Sequence, residues 1–272
     1  LQKKSSSNVV GSNIKVSELS KPSLGSLGVN TKANKLLGLN IWQNMNAEDI
    51  IEHLNYIPDT LASKYLQNFL NDLYLSTSVP PIGKSDEILK FLETRLFKIK
   101  NSGQSKNLYQ LVTQLPNGER WKIWRKWQIE YELITRQDKK ACQFINNESK
   151  VNLENFWQMA RIFCLSIEGK RDQSKFIFDL IKSRGFEDQI FEVLFQSIYN
   201  ETNSVDFKKI KNKIQPLHLV MMDTLKMPIR ANYIAHLGIE YTDSLLSLNY
   251  LTSKARSFLL DKKINYTFVS VD

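Results

Sequence analysis

Glycine and proline are scarce in this chain of 272 residues, which holds only 10 Gly and 7 Pro. Average usage is about 7% and 5%, so both residues occur at roughly half their ordinary frequency. Collagen-like, proline-rich and most loop-dense β architectures need these residues at their many turns, and the shortage excludes them. Hydrophobic residues make up 42% of the chain and aromatics 11%, which is enough to bury a core and excludes a wholly disordered chain.

Residues that commonly build metal or reactive sites are also few. Two cysteines are too few for a disulfide scaffold or a structural zinc site, and the histidines His53, His218 and His236 lie far apart in sequence. We interpret His218, which lies in an apolar helix start, as a neutral core residue. The motifs of nucleophile-elbow hydrolases, P-loop proteins and dinucleotide-binding proteins are absent. The sequence therefore predicts a protein that is not an enzyme and carries no cofactor, and no apolar run is long enough to predict a transmembrane helix.

Negative charge is in deficit, since 28 Asp and Glu stand against 37 Lys and Arg for a formal net charge of +9 at pH 7. Such an excess favours contact with acidic surfaces. Lys, Asn and Ile are all heavily used, which is typical of AT-rich coding, so part of the excess reflects composition rather than function. On charge alone, nucleic-acid binding is not the expected role.

Most of the chain has helical periodicity. Residues 1–38 hold four of the glycines, a run of three serines and no sustained periodicity, and we interpret them as a flexible leader. Residues 39–272 are predicted to form one α-helical repeat domain, which could continue in a longer natural chain. Asn46 and Ser63 are predicted N-caps, and the helix after Ser63 carries an apolar stripe at i, i+3, i+4 and i+7. The stripe consists of Leu66, Phe69, Leu70 and Leu73.

The turn positions predict how the helices are arranged. No segment has the alternation of a β-strand, so the expected fold class is all-α. Tight helix–helix turns are predicted at Gly103, at Gln137 and at Gly169, which are 34 and 32 residues apart. Helical hairpins that recur about every 34 residues are typical of tetratricopeptide arrays. An irregular, tetratricopeptide-like α-solenoid is the expected architecture, and a compact multi-helix bundle is the alternative.

Basic and aromatic residues alternate in segment 120–127, and such a composition can bind single-stranded nucleic acid. On a helix, however, the tryptophans and the cations Lys122, Arg125 and Lys126 fall on separate faces. That separation favours an amphipathic core helix over a stacking platform for bases. Two carboxylates further along the helix are assigned to its charged face, namely Glu130 and Glu132.

A second basic cluster follows in the last third of the chain, at Lys208, Lys209, Lys211 and Lys213. We interpret it as a solvated face, and contact with anionic lipid or an acidic partner is the alternative. These lysines and the three cations of segment 120–127 together form a candidate basic contact surface.

The two cysteines, Cys142 and Cys164, lie on consecutive predicted helices, 22 residues apart. Antiparallel neighbouring helices can bring such positions within the Cα separation of about 4.4–6.8 Å that a disulfide needs. In an oxidising compartment a bond between them would staple one helical hairpin. The alternative is two buried free thiols, the ordinary outcome in cytosol. Neither reading is favoured by the residues alone.

Several short segments together resemble an uncharacterised family of alphaproteobacterial envelope proteins with tetratricopeptide-like repeats, sometimes labelled as related to antifreeze glycopeptide. In order along the chain these are Leu54–Pro58, Leu66–Leu70, Ser78–Pro81, Ala141–Gln143, Ile162–Leu165 with Gly169, and Pro216–Leu219. The resemblance covers about residues 40–260 and implies an exported protein that begins with a signal peptide, since removed. It also implies that the two cysteines are bonded and that the chain is the N-terminal part of a longer array. It implies no catalytic residues.

These observations predict a non-catalytic interaction scaffold of the bacterial cell envelope, located in the periplasm. Its expected partner is another protein or an envelope polymer, with peripheral contact to an anionic membrane surface as a further expectation. An accessory helical domain of a peptidoglycan-acting enzyme, similar to lytic transglycosylases, is the alternative function. RNA binding in the cytoplasm is a third and less favoured one, because the basic residues separate from the tryptophans.

Overall fold

The computed structural model describes residues 23–29, 37–61, 63–201 and 213–267. These residues form thirteen α-helices and no β-strand, which confirms the all-α prediction. The helices are α1 (Ala47–Tyr56), α2 (Lys64–Leu75), α3 (Ser85–Asn101), α4 (Ser105–Val112), α5 (Lys122–Ile134), α6 (Asp138–Glu148), α7 (Asn155–Ile167), α8 (Arg171–Ser183), α9 (Gln189–Tyr199), α10 (Pro216–Thr224), α11 (Ala231–Ile234), α12 (Thr242–Leu245) and α13 (Ser253–Thr267). Three short 3-10 helices accompany them, at Leu24–Ser26, Glu119–Trp121 and Ile239–Tyr241.

Local signals determine where the helices begin. The Asn46 side chain accepts a hydrogen bond from the backbone N–H of Glu48 at 2.8 Å, and Ser63 Oγ accepts one from Leu66 at 3.3 Å. Both predicted N-caps are therefore confirmed, because each side chain satisfies an amide that has no partner inside its helix. Asp188 caps α9 in the same way, by accepting from the Phe191 amide.

The turns inside the hairpins recur with a regular spacing. Left-handed backbone conformations occur at Gly103 (φ +73°), Arg136 (φ +58°), Gly169 (φ +75°) and Glu201 (φ +55°), at intervals of 33, 33 and 32 residues. Positive φ just past the end of a helix lets the chain reverse and satisfy the last carbonyls. The predicted turn at Gln137 thus lies one residue after the left-handed position. Left-handed conformations also occur outside this spacing, at Gly185 (φ +84°) and Lys226 (φ +58°), so the turns are compatible with a helical repeat and equally with a bundle.

Each of the first three turns closes with the same hydrogen bond. The residue after the left-handed position donates its N–H to the carbonyl five residues earlier: Gln104 to Ile99, Gln137 to Glu132, and Lys170 to Leu165, at 3.3, 2.8 and 2.9 Å. The helices are paired accordingly as α3 with α4, α5 with α6, and α7 with α8. Successive pairs also contact each other, since α4 packs against α5 and α6 against α7. This is the arrangement of stacked helical hairpins.

The helices of the C-terminal third pack back against earlier hairpins instead of adding new pairs at the end of the chain. Helix α10 packs against α5, an earlier hairpin, as well as against α9, and α12 packs against α4 and α5. The 3-10 helix Ile239–Tyr241 contacts α3. The fold therefore combines consecutive helical hairpins with the closure of a bundle.

Two hydrophobic clusters meet on α5. Trp124 and Trp127 belong to the N-terminal cluster, whereas Ile129 and Leu133 belong to the C-terminal one, and Tyr241 packs against both. Helix α5 is consequently buried along most of its length. It connects the two halves of the core.

Part of the segment predicted as a leader packs against the domain. Leu24, Leu27 and Val29 contact the N-terminal cluster, and the Val29 amide donates to the Leu75 carbonyl at 2.8 Å. The glycine between them, Gly25, is buried. Residues 23–29 therefore belong to the folded surface, although the sequence placed them in a flexible leader.

Helix α2 is rotated relative to its predicted orientation. Leu66 and Phe69, two members of the predicted apolar stripe, are 48% and 49% exposed. The side chains of Gln67 and Asn71 are buried instead and hydrogen-bond to each other at 3.2 Å. Gln67 also accepts a hydrogen bond from the Leu61 amide at 2.9 Å. Because its polar atoms have partners, its burial carries little energetic penalty. The prediction of the α2 core face is half wrong for this reason.

Candidate interaction surface

The structure joins the two cysteines in a disulfide bond. Cys142 lies on α6 and Cys164 on α7, their Cα atoms are 5.5 Å apart, and both side chains are buried. The sequence left open whether the two cysteines are bonded or are free buried thiols, and in the structure they are bonded. The bond ties the second hairpin to the third, because α6 ends one and α7 begins the next.

The predicted basic surface is not assembled as a group of free cations. Lys122 pairs with Glu119 at 2.9 Å, and this hydrogen bond raises the pKa of the lysine. Arg125 is half-buried and donates to the Leu115 carbonyl at 3.1 Å, and burial lowers the pKa of its guanidinium. Each of these groups already has a partner within the fold.

Lys126 is also engaged within the fold, with its Nζ 4.8 Å from the ring centroid of Phe156. Lys213 is exposed, and the other members of the second cluster lie outside the described residues: Lys208, Lys209 and Lys211. Trp121, Trp124 and Trp127 are all buried. The predicted separation of cations and tryptophans into different faces is confirmed.

The carboxylates Glu130 and Glu132 correct a prediction, because they are buried rather than on a charged face. Glu132 accepts hydrogen bonds from Tyr109 Oη at 2.8 Å and from Gln128 Nε2 at 2.9 Å, and Lys140 Nζ lies 3.1 Å away. These partners explain why the carboxylate can be buried at all. The network connects α5 to α4 and α6.

Glu130 faces the C-terminal third of the chain. It accepts a hydrogen bond from Tyr241 Oη at 2.5 Å, while Glu240 pairs with Lys100 at 3.4 Å close by. Burial raises the pKa of Glu130, and Tyr241 and Lys126 only partly counteract that rise. Burial and the neighbouring carboxylate likewise raise the pKa of the Tyr241 phenol. The group holds the returning segment against α5, which is a structural role.

Helices α7 and α8 border an open groove with a volume of about 470 Å³, which we call the α7–α8 groove. Large apolar side chains line it without being covered: Phe176 is 67% exposed, Leu153 66% and Leu180 37%. Ile177 forms part of its floor and is buried. Contiguous exposed apolar surface of this kind commonly marks a contact site for another molecule.

Cations surround the apolar part of the α7–α8 groove. Lys150, Arg161 and Arg184 line it, and Asp172 is the one acidic residue among its lining groups. Within the described part of the chain, none of the three cations is within ion-pair distance of a carboxylate. By contrast, Lys182, on the same α8, pairs with Glu192 at 2.7 Å.

Two buried polar atoms of groove-lining residues have no hydrogen-bond partner among the described residues, Arg161 Nε and Ser149 Oγ. A buried donor without an acceptor is unfavourable. Arg161 projects from α7, the helix that the disulfide fixes to α6.

The Gln158 side chain anchors the α6–α7 loop to α7. Gln158 Nε2 donates to the carbonyls of Ser149 and Asn152, at 3.0 and 2.8 Å. Because this loop carries Lys150 and Leu153, the hydrogen bonds fix one wall of the α7–α8 groove. Hydrogen bonds therefore hold the loop on one side of the groove, and the disulfide holds α7 to α6.

Sequence reasoning missed this site because apolar periodicity alone marks Phe176 as a core residue. A signal was nevertheless present on α8. At 100° per residue, with Phe176 at 0°, Leu180 falls at about 40°, Ile177 at about 100°, Ile181 at about 140° and Phe178 at about 200°. The apolar arc is wider than one packing contact needs, and the structure buries only the last three of these side chains.

A smaller cavity of about 250 Å³ lies at the start of α5, between α6 and α7. Trp121 and Trp157 line it, but both are almost fully buried. Arg125, which also lines it, sits 5.3 Å from the ring centroid of Phe144. Since its aromatic and cationic groups already contact each other, this cavity is a weaker candidate than the groove.

Within the described ranges, no helix combines the length and the apolar character needed to cross a membrane. The same residues contain no group of three or more His, Cys, Asp or Glu arranged to hold a metal ion. No protein-family description, curated protein or solved structure matches this chain.

Proposed function

We propose that this protein is a non-catalytic interaction protein of the bacterial cell envelope that binds a partner protein through the α7–α8 groove. The observation that carries the proposal is the uncovered apolar surface of Phe176, Leu153 and Leu180 beside cations that lack acidic partners. Exposed aromatic and Arg side chains are the groups that most often dominate the energy of protein–protein contacts. Stacked helical hairpins provide such surfaces without any reactive side chain.

The disulfide supports a location outside the cytoplasm, in the periplasm. Disulfides persist in oxidising compartments and are rare in cytosolic proteins, where thiols are kept reduced. Alkylation of the denatured protein, taken from its native cells under acid quench, tests the location. We expect Cys142 and Cys164 to react only after reduction. Alkylation before reduction would contradict the periplasmic location.

A photo-crosslinking experiment tests the interaction itself. A photoreactive amino acid placed at Phe176 should yield defined adducts in the cells that produce the protein, because this side chain is exposed in the groove. Ile123 is the matched control, since it is 57% exposed but lies on α5, away from the groove. Adducts of equal yield at both positions, or none at Phe176, would contradict the proposal.

A further inference from the structure

We infer that the α7–α8 groove receives an acidic segment of a partner protein that also carries large apolar side chains. The inference rests on the proposed function and adds the chemical class of the partner. It combines two independent features of the groove, namely its uncovered apolar wall and its unpaired positive charge.

The apolar wall requires apolar side chains from the occupant. Phe176 and Leu153 each expose about two thirds of their surface, and Leu180 lies one helical turn from Phe176. Removing such side chains from water is the main favourable contribution to a contact of this kind. A wholly hydrophilic acidic chain would leave these side chains in water and gain only the electrostatic part.

The charge of the groove requires carboxylates from the occupant. Lys150, Arg161 and Arg184 contribute three positive charges against the single negative charge of Asp172. Arg161 adds a directional element, because its planar guanidinium lines the groove and presents N–H donors in a fixed geometry. A carboxylate can accept from two N–H groups of one guanidinium together, which makes it a better match than a neutral acceptor.

The dimensions of the groove indicate a short segment. Its lining along α8 and the residue that caps it extends from Asp172 to Arg184. At a rise of 1.5 Å per residue this distance is about 18 Å, which corresponds to about three turns of a partner helix or to five or six extended residues. A segment of that length can present two or three apolar side chains together with carboxylates on its flanks.

Nucleic acid and membrane fit the groove less well. Single-stranded nucleic acid binds where several aromatic rings are available for stacking, but Phe176 is the one exposed ring among the groove-lining residues. An anionic membrane favours cations beside apolar groups on a protruding surface, whereas these groups line a concave one.

Selection from a random 16-residue peptide display library, with the whole chain as the target, tests the inference. We expect the enriched peptides to carry net negative charge and at least two large apolar residues. Phe176→Ser should weaken a selected peptide at least tenfold and Arg184→Gln at least threefold, and affinity should fall as salt rises. All substituted side chains are exposed, so circular dichroism and the unfolding midpoint should remain unchanged.

Two variants control for non-specific effects. Lys182→Gln removes an equal charge from α8 outside the groove lining, and Ile123→Ser removes an exposed apolar side chain from α5. Neither should change peptide affinity. If all four variants bind equally, the peptides bind elsewhere and the inference about the groove fails.

The remaining outcomes separate this inference from the proposed function. Enriched peptides that are neutral or basic, yet lose affinity with Phe176→Ser, would overturn the partner class and leave the interaction function standing. Phosphatidylglycerol vesicles or a single-stranded RNA that bind in a Phe176-dependent way, without enrichment of acidic peptides, would also overturn it. No enrichment, together with no crosslink at Phe176, would overturn both.

Discussion

At the scale of single residues, Arg95 shows how a buried charge can be tolerated without a counter-ion. The side chain is fully buried, its Nε donates to the Tyr74 carbonyl at 2.9 Å, and its Nη2 donates to the Ser76 carbonyl at 2.7 Å. These carbonyls lie at the C-terminal end of α2, where the helix leaves them unpaired and partly negative. Burial lowers the pKa of Arg95 to about 10, so the side chain is still protonated at neutral pH.

We predict that Arg95→Ala lowers the free energy of unfolding by about 3 kcal/mol, because it leaves a cavity and two buried carbonyls without donors. Arg95→Lys should recover only part of this loss, since an ammonium group cannot reproduce the planar fork. Urea unfolding measures both effects, and Arg184→Ala, at an exposed position, is the control. A loss below about 1 kcal/mol for Arg95→Ala would contradict the capping role.

Glu130 gives a prediction about pH dependence. Because burial raises its pKa above the ordinary value of 4.5, the folded state holds the proton more tightly than the unfolded state. Its contribution to stability is therefore present at low pH and is lost as pH rises from 4.5 through the raised pKa. The charged groups that face it are Lys100, Lys126 and Glu240, with Tyr241 as the hydrogen-bond donor.

Glu130→Gln removes this titration and keeps an acceptor for Tyr241. We expect the variant to gain stability relative to the natural protein between pH 4.5 and pH 7.5, measured by urea unfolding at both values. Glu119→Gln, at an exposed carboxylate, should show no such trend. The same difference between Glu130→Gln and the natural protein at both pH values would disprove the assignment.

At the scale of elements, the left-handed turns are the feature that repeats. Gly169 has φ +75°, and a Cβ added there would meet no atom within 4 Å. Gly169→Ala should therefore destabilise the protein by about 1 kcal/mol through backbone strain alone. Gly169→Asn should cost less, because Asn tolerates this conformation better. Equal losses in thermal unfolding would show that the turn conformation is not the cause.

The elements also show what the sequence could and could not predict. Caps and turn positions depend on neighbouring residues, which is why the caps Asn46 and Ser63 and the turns at Gly103 and Gly169 were predictable. The exposure of Phe176 and the burial of Gln67 depend on which other helix packs against each residue. Periodicity identifies the apolar side of a helix but not the helix that packs against it. The α7–α8 groove was missed for that reason, although the unusually wide apolar arc of α8 was visible in the sequence.

At the scale of the whole molecule, the return of α10 to α5 decides how the protein unfolds. An open repeat array is held by contacts between neighbouring repeats and can unfold in parts. Here α10 contacts α5 and α9 together, Tyr241 hydrogen-bonds to Glu130, and Asp223 pairs with Arg136 at 2.8 Å. Contacts between such distant segments couple the middle hairpins to the C-terminal third.

We therefore predict that Met221→Ala, at a fully buried position of α10, accelerates amide hydrogen exchange in α5 as well as in α10 and α9. The physical reason is that the cavity weakens the contact on both sides of α10, so the elements it joins open more often. Exchange followed by mass spectrometry resolves these helices, and Leu180→Ala, on the exposed part of α8, is the control. Acceleration confined to α9 and α10 would indicate that the C-terminal third is an independent unit, and the coupling through α5 would then be wrong.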